Sequence, residues 1–472
     1  MMRLYSRISL MAAFLLYACL LAVGVYHHEP WFDEAQAWLL SRDSRPLDLI
    51  NTYLRYEGTP GLWHFILGLA AKTGLPYTAM SIIAALFALL GVLLFLLYAP
   101  FPWPVKLLFP FSYFVLYQYA VVARSYVLLP CLLFGIAMLY PKRQEKFYGY
   151  VLLLGLLANV SLHGLIMAFC FASIDLLTFV KARSSLNPAQ RNQLILGFSL
   201  LLGLGLLAVW QIRFPMDHSA VHPRRSYDLG FALDFTFQFI SRALTEQKVL
   251  SGLVLGLSLW HFWKTGTLSL FLWPVLIMGH LFAFVYASVW HEGILFLLWI
   301  YCLWISFEKS TPVVITRPYT LATICVVLGI HISWAVTAFR NDLKNNYSAA
   351  EQVAEYLKTR RASSPSIYAT GFHSIAILPY FDHNIFANYD HHQDGAFWDW
   401  SLKNDMQHNL DLIVLDAPDT IVHGIKTRFS MTAQRLPGYI ATKFTGHIYW
   451  KDRTLEEDSY VVYEKINMLG QR

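Results

Sequence analysis

Apolar segments of membrane-spanning length recur along this chain, and they limit its fold more than any other feature. Crossing a bilayer core as a helix takes about 20 apolar residues, with a range near 17–25. Segments 7–26, 76–98, 105–122, 124–140, 147–162, 164–180, 193–212, 249–263, 268–289, 292–307 and 318–338 meet or approach that length. Only 14% of the 472 residues are charged and 56% are apolar, whereas soluble domains average about 25% charged. These features exclude an ordinary cytosolic enzyme and a disordered chain. The net charge of +6 does not indicate a nucleic-acid binder, because no basic patch is interleaved with stacking aromatics. The expected fold is an α-helical polytopic membrane protein of about 11–13 spans.

The charges divide the chain in two. Residues 341–472 hold 13 Lys/Arg and 16 Asp/Glu, while the first 340 residues hold 23 basic and 14 acidic side chains. A multi-span body, 1–340, is therefore expected to precede a small soluble α/β domain, 341–472. In the latter, 349–361 is amphipathic, and 366–369, 412–415, 439–444 and 460–463 read as strands. Basic residues flank alternate spans: Arg3 and Arg7, Lys142 to Lys146, Lys181 to Arg191, Lys264, and Lys309 to Arg317. Taken as cytoplasmic, they put the loops 27–59 and 213–248 and the C-terminal domain on the exterior face. Segment 60–74 is too short to count as a span. The five cysteines lie in apolar stretches without paired or metal-ligand spacing, so exterior segments are not expected to depend on disulfides. That setting suits a bacterial inner membrane with a periplasmic C-terminal domain.

Within the sparsely charged body, acids gather in the first exterior loop: Glu29, Asp33, Glu34, Asp43, Asp48 and Glu57. The run His27-His28-Glu29-Pro30-Trp31-Phe32-Asp33-Glu34-Ala35-Gln36-Ala37-Trp38 forms an interfacial helix if Trp31, Ala35, Trp38 and Leu39 share a face. Asp33 then lies about 200° around from Trp31. A second amphipathic stretch runs from Pro46 to Glu57. Paired acids beside a membrane surface can supply a general base. An acid in the first helical turn after a proline also serves as a cap, and the two roles are compatible.

The segments HEPWFDEAQAW, RYEGTPGLWHFILGLAAKTG and VVARSYVLLPCLLF, in that order, resemble the GT-C superfamily of integral-membrane glycosyltransferases. Protein O-mannosyltransferases and the lipid A aminoarabinose transferase are among its branches. The resemblance covers roughly residues 7–180. It implies a GT-C-like fold and a hexosyl or pentosyl transferase that takes its sugar from a polyprenyl-phosphate donor on the exterior face. The acceptor would be a glycan, lipid or protein, and membrane lipids would be its surroundings. By the same resemblance Asp33 is the acceptor's base, and Glu34 is an orienter or metal ligand. A divalent metal, Mg or Mn, would be held through Asp33. Members often carry His-Pro-Pro or Lys-Pro-Pro where this chain has Thr59-Pro60-Gly61. A basic residue is thus missing there, and another cation must meet the carrier phosphate.

Breaking a sugar–phosphate bond leaves an anion that calls for Arg, Lys or a metal. Arg124, Arg224, Arg225 and Arg42 are the donor-phosphate candidates. Arg124 interrupts an apolar run that has no acid nearby in sequence, and a charge so placed is by default functional. Glu57, His163 and His291 are candidates for substrate contact. Trp398 and Trp400 offer stacking faces for a sugar or for packing the domain on the body. Asp382-His383, Asp390-His391-His392 and Asp394 are rich in potential ligands, but their spacing matches no standard metal site. A transporter or flippase of lipid-linked sugars, or a non-catalytic carrier-binding subunit, is the rival expectation. A transporter would call for repeat symmetry and ionisable groups deep in the spans, of which Asp175 is one.

Overall fold

A computed structural model describes residues 2–181, 184, 186–215, 227–309, 317–360, 366–389, 395–401, 410–426 and 432–466, without the side chains of 2–6, 360, 411 and 412. Among the described residues, seven helices are long and apolar enough to cross a membrane. They are Arg7–His27, Ala79–Tyr98, Ser125–Lys142, Leu162–Lys181, Pro188–Gln211, Val289–Lys309 and Arg317–Lys344. Shorter apolar helices, Phe147–Ala158 and Leu268–Phe284, fall on other expected spans. Helix Lys248–Thr265 does so as well.

Burial ranks these helices from the centre outward. Val289–Lys309 is 94% buried across its apolar window, whereas Pro188–Gln211 is 17% buried and Arg7–His27 22%. The peripheral helices turn Met11, Leu15, Leu16, Ile195, Leu196 and Leu202 outward. Leucine-rich outer faces of this kind are what hydrocarbon requires of a helix.

Segment 105–122 departs from expectation, because it is not one span. Trp103–Leu108 is α-helical, Phe109–Phe111 forms a 3-10 turn, and Phe114–Gln118 forms a π turn. Pro110 cannot donate to a helical ladder, so regular helix ends there. The irregular stretch 113–123 is buried throughout. Non-helical backbone is tolerated at membrane depth only inside protein. Tyr17 helps to satisfy it, its hydroxyl donating to the Val115 carbonyl at 2.9 Å. This buried strap carries the chain to Arg124.

The expected exterior loop 213–248 is corrected too, since it contains helix Leu229–Leu244. The Asp228 side chain caps it by accepting from the Phe231 N–H at 3.1 Å. Ala232, Thr236, Phe239, Ile240 and Ala243 are buried on its inner face, a helical periodicity hidden by the polar flanks. Segment 60–74 holds helix Leu62–Lys72, about 16 Å long at 1.5 Å per residue and too short to span. Asp175, the ionisable group deep in a span, is committed within the protein. It accepts from Arg143 at 2.8 Å and from the Tyr150 hydroxyl at 2.7 Å.

The C-terminal region carries helix Ala350–Arg360 and a four-stranded sheet in the order β1-β2-β6-β3. Its strands are β1 (Ile367–Thr370), β2 (Thr420–Ile425), β3 (Tyr439–Phe444) and β6 (Ser459–Lys465). β1 pairs parallel with β2, and β6 runs antiparallel to both β2 and β3. β4 (His447–Trp450) and β5 (Arg453–Glu457) form a separate hairpin. The expected strand at 412–415 is instead part of helix Leu410–Leu415; a short apolar run does not distinguish the two by periodicity.

That hairpin plugs into the body. Trp450 packs against Tyr113, Phe114 and Trp290. Lys451 is fully buried, with its ammonium 2.7 Å from Glu246 and 2.8 Å from Glu292. Glu292 opens the central helix and lies 3.2 Å from Arg242. Removing one partner from a buried charge cluster costs about 3–5 kcal/mol, because the remaining charge loses its compensation. Lys451→Met is therefore expected to lower the apparent Tm of the purified protein sharply, and thermal unfolding in detergent measures it.

Candidate functional site

Asp33 and Arg124, 91 residues apart in sequence, meet as an ion pair with an Nη2–Oδ2 distance of 2.9 Å. Asp33 lies in the first turn of helix Phe32–Asp43, and Arg124 lies at the end of the buried strap. The pair keeps some access to solvent, with side-chain exposures of 28% and 20%. The Arg124 guanidinium faces the rings of Trp31, Tyr126 and Trp290 at 5.9, 5.3 and 5.7 Å. Its Nη1 is buried with no hydrogen-bond partner. An aromatic-walled cation with a spare donor is suited to an arriving oxyanion.

Glu34 plays a different part from its neighbour. Fully buried, it accepts from the Ala123 N–H through Oε1 at 2.6 Å. Its Oε2 reaches back to the Trp31 N–H at 3.2 Å and meets His28 Nε2 at 3.2 Å. This is the N3-to-N-cap contact of a capping box. The cap role thus falls to Glu34, which also clamps the peptide immediately before Arg124. Both Glu34 oxygens are thus engaged within the protein. Among the described residues, no cluster of three or more His, Cys, Asp or Glu is arranged to hold a metal ion.

His28 extends the clamp, its Nδ1 lying 3.0 Å from Asp342 Oδ2. Burial opposes charge on this imidazole, but the flanking Glu34 and Asp342 carboxylates prevail and raise its pKa to about 10. His28 is thus a cation at neutral pH. It ties the end of helix Arg317–Lys344 to the peptide that carries Arg124.

Glu57 closes another side. Helix Leu54–Glu57 ends at Gly58, whose φ of 64° is the left-handed C-cap conformation that glycine adopts without strain. Glu57 Oε1 accepts from Gln36 Nε2 at 2.9 Å. Burial lifts its carboxyl to about 7; the Gln36 bond opposes the shift and the Asp33 charge adds to it. Gly61 donates its N–H to Gln211 at 2.7 Å, a bond proline lacks the hydrogen to make.

Two histidines stand behind the pair. His163 and His291 pack with ring centroids 4.3 Å apart, and His291 lies 6.1 Å from the Tyr126 ring that faces Arg124. Both His163 nitrogens are buried without hydrogen-bond partners. The C-terminal region is fastened to helix Phe32–Asp43. Gln36 exchanges two hydrogen bonds with the Trp398 backbone, at 2.9 and 2.8 Å, and Asp43 accepts from the Ala396 N–H at 2.9 Å. Trp398 stacks on Tyr389 at 5.3 Å and stands 6.0 Å from Trp400.

The structure therefore brings Asp33, Glu34, Glu57, Arg124, His163 and His291 into one neighbourhood. Arg42 is used otherwise: it pairs with Asp43 at 2.6 Å and donates to the Phe381 carbonyl at 3.0 Å, fastening the C-terminal region. Arg224, Arg225, Asp390, His391, His392 and Asp394 lie outside the described residues. Sequence reasoning missed Tyr126, Trp290 and Gln36. Tyr126 was within reach as the aromatic two residues after a lone arginine.

Fold and site together define a helical integral membrane protein with a small C-terminal sheet region and a semi-exposed Asp–Arg pair. No protein-family model matches the chain, and no curated protein matches it.

Proposed function

We propose that this protein is a GT-C-type glycosyltransferase that moves a sugar from a polyprenyl-phosphate donor to an acceptor hydroxyl. The observation that carries the reading is the Asp33–Arg124 pair, accessible to solvent and leaving one guanidinium nitrogen unpaired. A base and an anion holder are the two groups such a transfer needs, and here they neutralise each other until substrate arrives.

The carrier phosphate takes the spare Nη1 of Arg124 and draws the guanidinium away from Asp33. The freed Asp33 carboxylate accepts the acceptor's proton as its oxygen attacks the anomeric carbon. The carbon–oxygen bond to phosphate breaks, and its electron pair leaves on the carrier phosphate beside Arg124. His163 and His291 border the phosphate side. Glu57, Trp398 and Trp400 line the acceptor and sugar side, under a cover fastened by Gln36. The protein would work in a bacterial inner membrane, with Asp33 and the C-terminal region on the exterior face.

The test is transfer in a purified preparation. Deleting the protein and identifying which lipid-linked sugar accumulates would supply donor and acceptor. With these, Arg124→Ala is expected to lower kcat/KM by roughly 10²–10³, the loss typical of removing one oxyanion donor. Wild-type protein without any transfer activity would overturn the reading.

A further inference from the structure

The tip of the β4–β5 hairpin touches two segments that meet at the Arg124 guanidinium. On one side lies the buried strap. Trp450 packs on Tyr113 and Phe114 with ring centroids 5.6 and 6.0 Å away, and the Lys451 N–H donates to the Tyr113 hydroxyl at 3.0 Å. On the other side lies the 3-10 turn Val289–His291. Trp450 stands nearly perpendicular to Trp290 at 5.2 Å, and the Lys451 ammonium reaches Glu292, the residue after the turn, at 2.8 Å. The two segments are also joined to each other, the Tyr119 hydroxyl donating to the Trp290 carbonyl at 2.5 Å. Trp290 in turn lies 5.2 Å from Trp31 and 5.7 Å from the Arg124 guanidinium.

The backbone of the tip is strained. Lys451 opens the turn between β4 and β5 with a φ of 56°, a conformation that glycine adopts freely and lysine rarely. Glu246, which accepts from the Lys451 ammonium at 2.7 Å, has a φ of 60° itself. Such residues persist only where the surrounding structure over-determines them. Among the described residues the hairpin pairs with no other strand, so the contacts that hold the strain are those with the body. They seat Lys451 and, beside it, the fully buried Trp450.

The geometry points to Trp450 as a positioning residue for Arg124, acting through Trp290. The guanidinium pairs with Asp33 through Nη2 and leaves Nη1 without a hydrogen-bond partner. Its aromatic walls therefore help to fix where that free nitrogen points, and a ring attracts a cation only within about 6 Å of its centroid. Trp31 and Tyr126 are close in sequence to Asp33 and Arg124, whereas Trp290 comes from the start of the central helix and is the wall that the hairpin holds. The C-terminal region thereby acts on the arginine of the pair as well as on helix Phe32–Asp43. The consequence for sugar transfer rests on the phosphate role proposed above for Arg124; the positioning itself does not.

Phenylglyoxal condenses with accessible guanidinium groups and reads the state of Arg124 without donor or acceptor. Arg42 is the internal control, because its side chain is 20% exposed, as is that of Arg124, and it contacts the C-terminal region elsewhere. Peptide mapping of the purified full chain by mass spectrometry gives the rate at each arginine. Trp450→Leu is expected to raise the Arg124 rate roughly two- to tenfold, the population shift that loss of one aromatic pair permits, with Arg42 unchanged. Trp450→Phe keeps a ring against Trp290 and should return the rate close to wild type. Glu246→Gln loosens the same tip at a side chain that is 22% exposed, should move the Arg124 rate in the same direction, and carries the test where Trp450→Leu does not fold. An Arg124 rate unchanged in the folded variants, a rise shared equally by Arg42, or a Trp450→Phe rate as high as that of Trp450→Leu would overturn the proposal. Kinetics separate it from the functional reading: donor KM should rise in Trp450→Leu, and that rise should vanish in an Arg124→Ala background. A raised Arg124 rate with donor KM unchanged would uphold the positioning and remove the phosphate role.

Discussion

Asp33→Asn is expected to cut sugar transfer by about 10³-fold or more, within the range that loss of a general base commands. The variant should insert and unfold as the wild type does. Asparagine still reaches Arg124 as a hydrogen-bond acceptor, and helix Phe32–Asp43 keeps its cap through Glu34. Donor binding should hold or tighten, because Arg124 no longer has to be drawn from a carboxylate at 2.9 Å. A fall in kcat with KM for the donor unchanged or lowered is therefore the signature of a lost base. Unchanged turnover with purified donor and acceptor would remove Asp33 from that role. A rise in donor KM at constant kcat would make it a binding residue instead.

The contrast between Asp33 and Glu34 also shows how far sequence carries. Adjacent acids after a proline announce a helix start, and both readings of such a pair, cap and chemistry, were open from the pattern alone. The structure divides them. Glu34 points into the protein and caps, while Asp33 points at an arginine from another segment. Nothing local announces that division, because it depends on where the strap 113–123 runs. That strap departs from the span expected there: its apolar composition is that of a span, and only Pro110 hints at the break. The lone Arg124 at its end stood out because charge inside an apolar run is costly. The tail shows the same limit. Short runs such as 412–415 lack the length to reveal a period, and this one is helical where its composition suits a strand. Strand β2 shows no alternation because every one of its residues is buried, and β5, Arg453–Glu457, is polar and largely exposed, so it carries no apolar period either.

Glu34→Gln is expected to be the more damaging change to the folded state. His28 would keep its charge but lose one of its two buried carboxylates, and about 3–5 kcal/mol is the usual cost of such a break. The pH dependence separates this cause from a packing defect. His28 has its pKa raised by folding, from 6.5 to about 10. Its contribution to stability is therefore complete below about 6.5 and is lost as pH rises through the folded value. The wild-type apparent Tm should fall from neutral pH toward pH 10 on this account. In Glu34→Gln the folded pKa drops, so the decline should be shallower and finish at lower pH. A uniform loss of stability across that window would assign the damage to packing rather than to the imidazolium. Transfer should fall in parallel even where the variant is folded, since glutamine oxygen can serve the Ala123 N–H or His28 but holds the peptide before Arg124 with a weaker, uncharged acceptor.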